Sequence, residues 1–156
     1  MSDAASPSPG PGLLALGLLA GKLACRTPEP PEESDWFEGA RWSRRLLVLT
    51  AEGSEAAAQR SLVAAEQEGL EERDLTVFVV GAEVEHVAGR RTTDLLPPAT
   101  AFRQRFGLPD RGFQVVLIGK DGGVKLRRDE PLAPTDLWAV IDAMPMRMRE
   151  MRRTGE

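Results

Sequence analysis

Side chains able to do nucleophilic, redox or metal chemistry are scarce in this chain, and their positions decide which reactions it can host. There is one cysteine, Cys25, and one histidine, His86. A single thiol permits no internal disulfide and no Cys-x-x-Cys pair. One Cys and one His cannot build a cluster of the zinc-site type, and no EF-hand spacing appears. A metal site made of carboxylates alone stays open, but neither a metal nor another cofactor is expected. Ser54 follows Thr50-Ala51-Glu52-Gly53, where a hydroxyl nucleophile is conceivable, but no base accompanies it, since His86 has only Glu83 and Glu85 near it in sequence. A helix cap and a surface histidine are the expected roles. Gly119-Lys120-Asp121-Gly122-Gly123 lacks the Gly-x-x-x-x-Gly-Lys-Ser/Thr spacing of a phosphate loop and leads into a strand pattern, so it reads as a turn.

At 156 residues and 42% hydrophobic content, the chain suits one domain with a genuine core. A net charge of -4 and a pI near 5.2 argue against nucleic acid as a partner, because phosphate neutralisation needs a dominant basic surface. Residues 1–35 differ from the rest. Ser, Pro and Gly fill 2–12, an apolar run covers 13–21, and Pro and Glu fill 28–33. The Pro-rich acidic part cannot bury enough apolar area to fold. The apolar run is short of the ~20 residues a transmembrane helix needs, yet it matches the apolar region of an export signal. Leu23-Ala24-Cys25 resembles the end of a lipoprotein signal, with Cys25 as the lipid-bearing residue. No Lys or Arg precedes the run, and Lys22 stands where an aliphatic residue belongs, so a disordered tail and a cytoplasmic setting stay open beside export.

The elements that must position any site lie after this segment. The folded region is expected over 36–151, with 152–156 as a basic tail. Leu46–Leu49 and Val115–Ile118 are short unbroken apolar runs, the mark of strands buried on both faces. Asp121-Gly122-Gly123 supplies a tight reversal, and Val124 and Leu126 alternate with Lys125 and Arg127 as a return strand with one wet face. Between the two runs, Ser54 caps a helix that continues to about Gly69, and Leu75–Val80 is another strand. Gly81 to Pro98 shows no stable period and reads as an irregular excursion. Thr100 caps a short helix carrying Phe102 and Phe106, ended by Gly107 and Pro109. A final helix from Pro134 presents Leu137, Ile141 and Met144, and Pro145 breaks or restarts it.

This order, β-α-β, α, β-hairpin, α, predicts a thioredoxin-like α/β fold: a four-stranded mixed sheet with helices on both faces. A doubly wound sheet is the alternative, but it joins strands through helices rather than through a hairpin. Thioredoxin-like folds place a redox cysteine just after the first strand, where helix N–H groups lower a thiol pKa. Here that place reads Thr50-Ala51-Glu52-Gly53-Ser54 and holds no thiol. Nor does a proline stand directly before Val115, where thioredoxins hold a substrate-facing cis-proline. The predicted function is a redox-inactive binding or structural module. The alternative is a cysteine-independent enzyme using Thr50, Glu52 and Ser54.

Trp42–Val48, Glu72–Leu75, Val116–Arg127 and Ile141–Arg147 together resemble the DUDES-type domain, over about Trp42 to Met151. This is a thioredoxin- or peroxiredoxin-like domain of unknown function, found in small, often exported bacterial proteins and in animal secreted sushi-repeat and coiled-coil-domain proteins. The resemblance implies the fold and an extracytoplasmic setting, and it supplies no catalytic residues.

Tracing chain direction brings these segments to one pole, opposite the vacant cysteine position. Arg44 and Arg45 precede the first strand, Arg73 and Asp74 precede the second, and Lys120 and Asp121 follow Val115–Ile118. The last helix delivers Asp142, Pro145, Arg147 and Arg149 to the same end. Such a set makes either a structural ion-pair network or a recognition surface for an unknown protein or acidic ligand. Met146, Met148 and Met151 are expected as core or cap packing rather than as an adaptable contact face.

Overall fold

In the computed structural model, which describes residues 33–155, Leu46–Leu49 occupy the middle of a five-stranded sheet. In chain order the elements are α1 (Glu33–Ala40), β1 (Arg45–Thr50), α2 (Ser54–Ala64), α3 (Gln67–Glu72), β2 (Leu75–Val80) and β3 (Val84–Gly89). After them come α4 (Ala99–Phe106), β4 (Val115–Ile118), β5 (Val124–Arg128), α5 (Pro134–Asp142) and α6 (Pro145–Thr154). The strand order is β3-β2-β1-β4-β5. β1 pairs in parallel with β2 and antiparallel with β4, Leu47 lying opposite Leu117. Apolar side chains on both faces of β1, β2 and β4 require cover on both sides, and alternation divides them. Leu46, Val48, Phe78, Val80, Val116 and Ile118 face α1 and α4. Leu47, Leu49, Val77, Val79, Val115 and Leu117 face α2, α3 and α5 through Val63, Leu70, Leu137 and Ile141. Full burial of each such side chain stabilises by roughly 1.5–3 kcal/mol.

The hairpin forms as its sequence dictates. Gly122 takes φ 82°, and the Gly119 N–H donates to the Gly123 carbonyl at 2.9 Å to close the turn. β5 is the wet edge, with Lys125, Arg127 and Arg128 exposed. Gly107 ends α4 at φ 63°, with Arg103 and Arg105 in the last turn, where cations suit the helix dipole.

Several expectations are corrected. The sheet has five strands rather than four, because the stretch read as an irregular excursion supplies β3. This strand adds to the β2 edge through a bulge at Val87, so its side-chain alternation is broken where a period would be sought. It closes at Gly89, where φ is 80° and an added Cβ would lie 2.1 Å from the Leu75 carbonyl oxygen. The single helix expected from Ser54 to Gly69 is two, α2 and α3. Ser54 and Thr100 do not cap: each sits inside the first turn, behind Gly53 and Pro98. α1 begins at Glu33, ahead of the boundary placed at 36, and its Trp36 and Phe37 belong to the core. At the other end α6 continues to Thr154, through most of the stretch read as a tail. Met148 and Met151 are exposed rather than packed, and Met146 is half-buried. Cys25 and the export-like segment lie outside the described residues.

Candidate functional site

The pole where β1 begins and β4 ends gathers charged residues from several segments of the chain into one ion network. Arg45 opens β1 with its side chain only 1% exposed. A guanidinium there has no water to solvate it, so its partners must come from the fold. Its Nη1 donates to the Arg73 carbonyl at 2.8 Å, and its two Nη atoms reach the two carboxylate oxygens of Glu150, each at 3.2 Å. Lys120, 8% exposed at the end of β4, donates from Nζ to Glu150 at 2.7 Å and to Asp74 at 2.8 Å. Asp74 sits at φ 48°, a conformation that Asp tolerates better than most residues, and also accepts from Arg90 at 3.0 Å.

A second group adjoins the first. Arg73 offers Nε and Nη2 to the two Asp142 oxygens at 3.0 and 2.8 Å and stacks over Trp138 at 4.3 Å. Arg147, 4% exposed, donates from Nε to Asp142 at 3.2 Å and from Nη1 to the Glu72 carbonyl at 3.1 Å. Its Nη2 reaches the Glu72 carboxylate at 2.6 Å. Arg45, Lys120 and Arg147 are buried and Arg73 is nearly so, while their carboxylates reach toward water and Arg90 stays at the exposed rim. Arg147 is the one buried residue of α6, so that helix is held to the sheet by ions rather than by an apolar stripe.

Burial alone would raise the carboxyl pKa values of Asp142 and Glu150. Hydrogen bonds from Arg73 and Arg147, and from Lys120 and Arg45, outweigh it and hold both below the ordinary carboxyl range. The same balance raises Arg147: burial opposes its charge, but Asp142 and Glu72 prevail. Carboxyls that protonate at lower pH when folded than when unfolded make the unfolded chain the greater proton binder. Their contribution is therefore complete above the ordinary values of 3.8 and 4.5 and is lost as pH falls through the lower folded ones. The urea midpoint is expected to drop between about pH 6 and about pH 3, and to drop less in Glu150→Gln.

Of the residues placed at this pole by sequence, Arg45, Arg73, Asp74, Lys120, Asp142 and Arg147 come together. Arg44, Asp121 and the exposed Arg149 do not join them. Asp121 pairs within the hairpin, where Lys125, with help from the Gly123 N–H, holds its carboxyl low. Arg44 turns toward α1. Glu72, Arg90 and Glu150 complete the network and were not anticipated; α6 spacing alone, with Glu150 three residues after Arg147, was the available signal.

At the opposite end, Thr50, Glu52 and Ser54 do not converge. The buried Thr50 hydroxyl donates to the Gly112 carbonyl and accepts from the Gln114 N–H, both at 2.8 Å. Glu52 accepts from the Gly112 N–H at 2.9 Å, while Ser54 contacts Glu55. Thr50 and Glu52 thus hold the loop leading into β4. His86 is half-buried on β3 with its ring edge-on to Phe78 at 5.9 Å, not a free surface residue. Among the described residues, no group of three His, Cys, Asp or Glu is placed to hold a metal ion, and no helix is long and apolar enough to cross a membrane.

Sheet, two helical layers and ion-locked pole define a mixed α/β domain with a helix clamped by charge to the end of its sheet. The chain belongs to the family described as domain of unknown function DUF4174, whose profile matches residues 37–150. It is also similar to the sushi repeat-containing protein SRPX of Rattus norvegicus and of Homo sapiens, at 33% identity over 113 residues. The Mus musculus protein matches at 32%. These matches cover 69% of this chain and 24% of the relatives, so the chain spans about a quarter of their length. No solved structure matches it.

Proposed function

We propose that this is a thioredoxin-like domain without thiol chemistry, working outside the cytoplasm as a binding or structural module. The observation that carries the reading is the end of β1. In a β2-β1-β4-β5 sheet with a β-α-β start and a terminal hairpin, that is where a redox cysteine would stand, and Thr50 and Glu52 instead tie down the Gly112 loop. The extracytoplasmic setting is supported by the family resemblance and by the similarity to sushi repeat-containing proteins. The ion-locked pole, with Arg45, Arg73, Asp74, Lys120, Asp142 and Arg147, keeps the domain's end rigid, and any acidic partner meets it through the charges left at its rim. The test uses the full chain and its Cys25→Ser variant in disulfide-reduction and peroxide-consumption assays. Both proteins are expected to run at the uncatalysed rate; turnover that survives Cys25→Ser would overturn the reading.

A further inference from the structure

At the ion-locked pole, but on the α1/α4 side of the sheet, lies a second arginine group that the network does not use. Arg41 and Arg44 follow the end of α1, and Arg105 projects from the last turn of α4. They line a small cleft with Phe37 and the turn residues Gly119 and Gly122. Its enclosed part has room for about one oxygen-sized group, some 10 Å³. The Nε of Arg41 and the Nε and Nη1 of Arg44 are buried and have no hydrogen-bond partner among the described residues. Buried donors in native folds have partners, so three together call for an acceptor.

The charge count identifies that acceptor as more than water. One carboxylate contacts the group: Glu38 pairs with Arg41 at 2.9 Å and lies 3.8 Å from Arg105. Arg44 has no ion pair among the described residues. Asp94 and Asp74 attract it only from a distance and Arg90 repels it, so burial together with Arg90 pushes its pKa below the usual value. Three guanidinium groups against one carboxylate, in a partly desolvated cleft, leave positive charge that a neutral water does not offset. The backbone around them is shaped for the purpose. Gly122, at φ 82°, leaves space that a side chain would take from Arg41, whose Cγ would be 3.2 Å from an added Cβ. Trp42, next to Arg41 in sequence, is held at φ 64° and is 61% exposed, and its ring lies under the Arg41 guanidinium at 5.6 Å. Backbone strain of this kind clusters at functional sites, and here it stands two residues from Arg44, which has no ion pair among the described residues.

We infer that this cleft binds an oxyanion, the sulfate, phosphate or carboxylate group of a ligand, with one oxygen seated among Arg41, Arg44 and Arg105 and the remainder of the ligand outside over Trp42. The site lies at the other end of the sheet from Thr50–Ser54, so it stands or falls separately from the absence of thiol chemistry.

The test titrates the full chain, isotopically labelled, with sodium sulfate, sodium phosphate or sodium acetate against sodium chloride at matched ionic strength, following the Arg Nε–H signals. A saturable shift of the Arg41 and Arg44 signals at millimolar anion is expected, weakened about tenfold or more in Arg44→Gln. A response to sulfate or phosphate alone assigns a sulfated or phosphorylated ligand, and a response to acetate assigns a carboxylate; either supports the site. If Arg44→Gln fails to fold, Arg105→Gln at the exposed rim carries the same comparison. No saturable response to any of the three anions, or one that both variants leave unchanged, would show a water-filled cleft and overturn the proposal.

Discussion

Replacing Glu150 by glutamine is expected to lower the unfolding free energy by about 3 kcal/mol, seen as a lower urea midpoint at unchanged slope. Glu150 is the shared partner of Arg45 and Lys120, both nearly inaccessible to water. Removing its charge leaves two buried cations facing one remaining carboxylate, Asp74. The penalty is that of stranding charge, and it exceeds what the pair contributes when intact. The glutamine amide keeps one acceptor, and Glu150 itself is 24% exposed, which places the effect at the lower end of the range for broken buried pairs. Asp121→Asn provides the contrast. Its partner Lys125 is exposed, and such pairs contribute under about 1 kcal/mol. Equal effects for the two substitutions would mean that Arg45 and Lys120 find water when Glu150 is neutral, and the description of α6 as charge-clamped would fail.

Phe102→Ala is expected to cost about 3–5 kcal/mol, with loss of the near-ultraviolet dichroism of Trp36. Phe102 is fully buried and stands among Trp36, Phe37, Phe78 and Phe106, at centroid distances of 5.6, 5.1, 5.6 and 6.1 Å. Most of these ring pairs meet edge to face, which adds roughly 0.5–1.5 kcal/mol each beyond area burial. The cavity left by alanine would open directly beneath α1, so the substitution also measures how firmly that helix belongs to the domain. Phe102→Leu should cost less than half as much, because leucine refills most of the volume. A loss under about 1 kcal/mol in Phe102→Ala would mean that α1 and α4 do not share a core.

The central strands were legible because their residues leave no alternative. Runs such as Leu75–Val80 and Val115–Ile118 are too apolar for a surface and too short and β-branched for a helix, and Asp121-Gly122-Gly123 permits a reversal and little else. β3 was hidden by its composition: Glu85, His86 and Gly89 are poor strand formers, and the bulge at Val87 interrupts the alternation. It becomes a strand because the β2 edge offers it partners, which is information held by the neighbour. α1 was obscured in the same way by the Pro/Glu sequence before it, although Trp36 and Phe37 stand together. Chain direction brings Arg45, Arg73, Asp74 and Lys120 to one end of the sheet, since strand ends fix where their flanking residues lie. It could not supply Glu150 or Glu72, whose roles depend on how α6 docks, nor Arg90, which reaches Asp74 only because β3 forms, nor the turning away of Arg44, which depends on α1.

The clamping of α6 by ions has a bearing on the order in which this protein takes shape during synthesis. Arg45 and Lys120 leave the ribosome 105 and 30 residues ahead of the carboxylate that neutralises them. Until then their end of the sheet must stay hydrated, because closing over unmatched cations is costlier than waiting. The nascent domain is thereby kept ajar at one end until its final helix emerges, and a chain truncated before Glu150 carries that opening permanently.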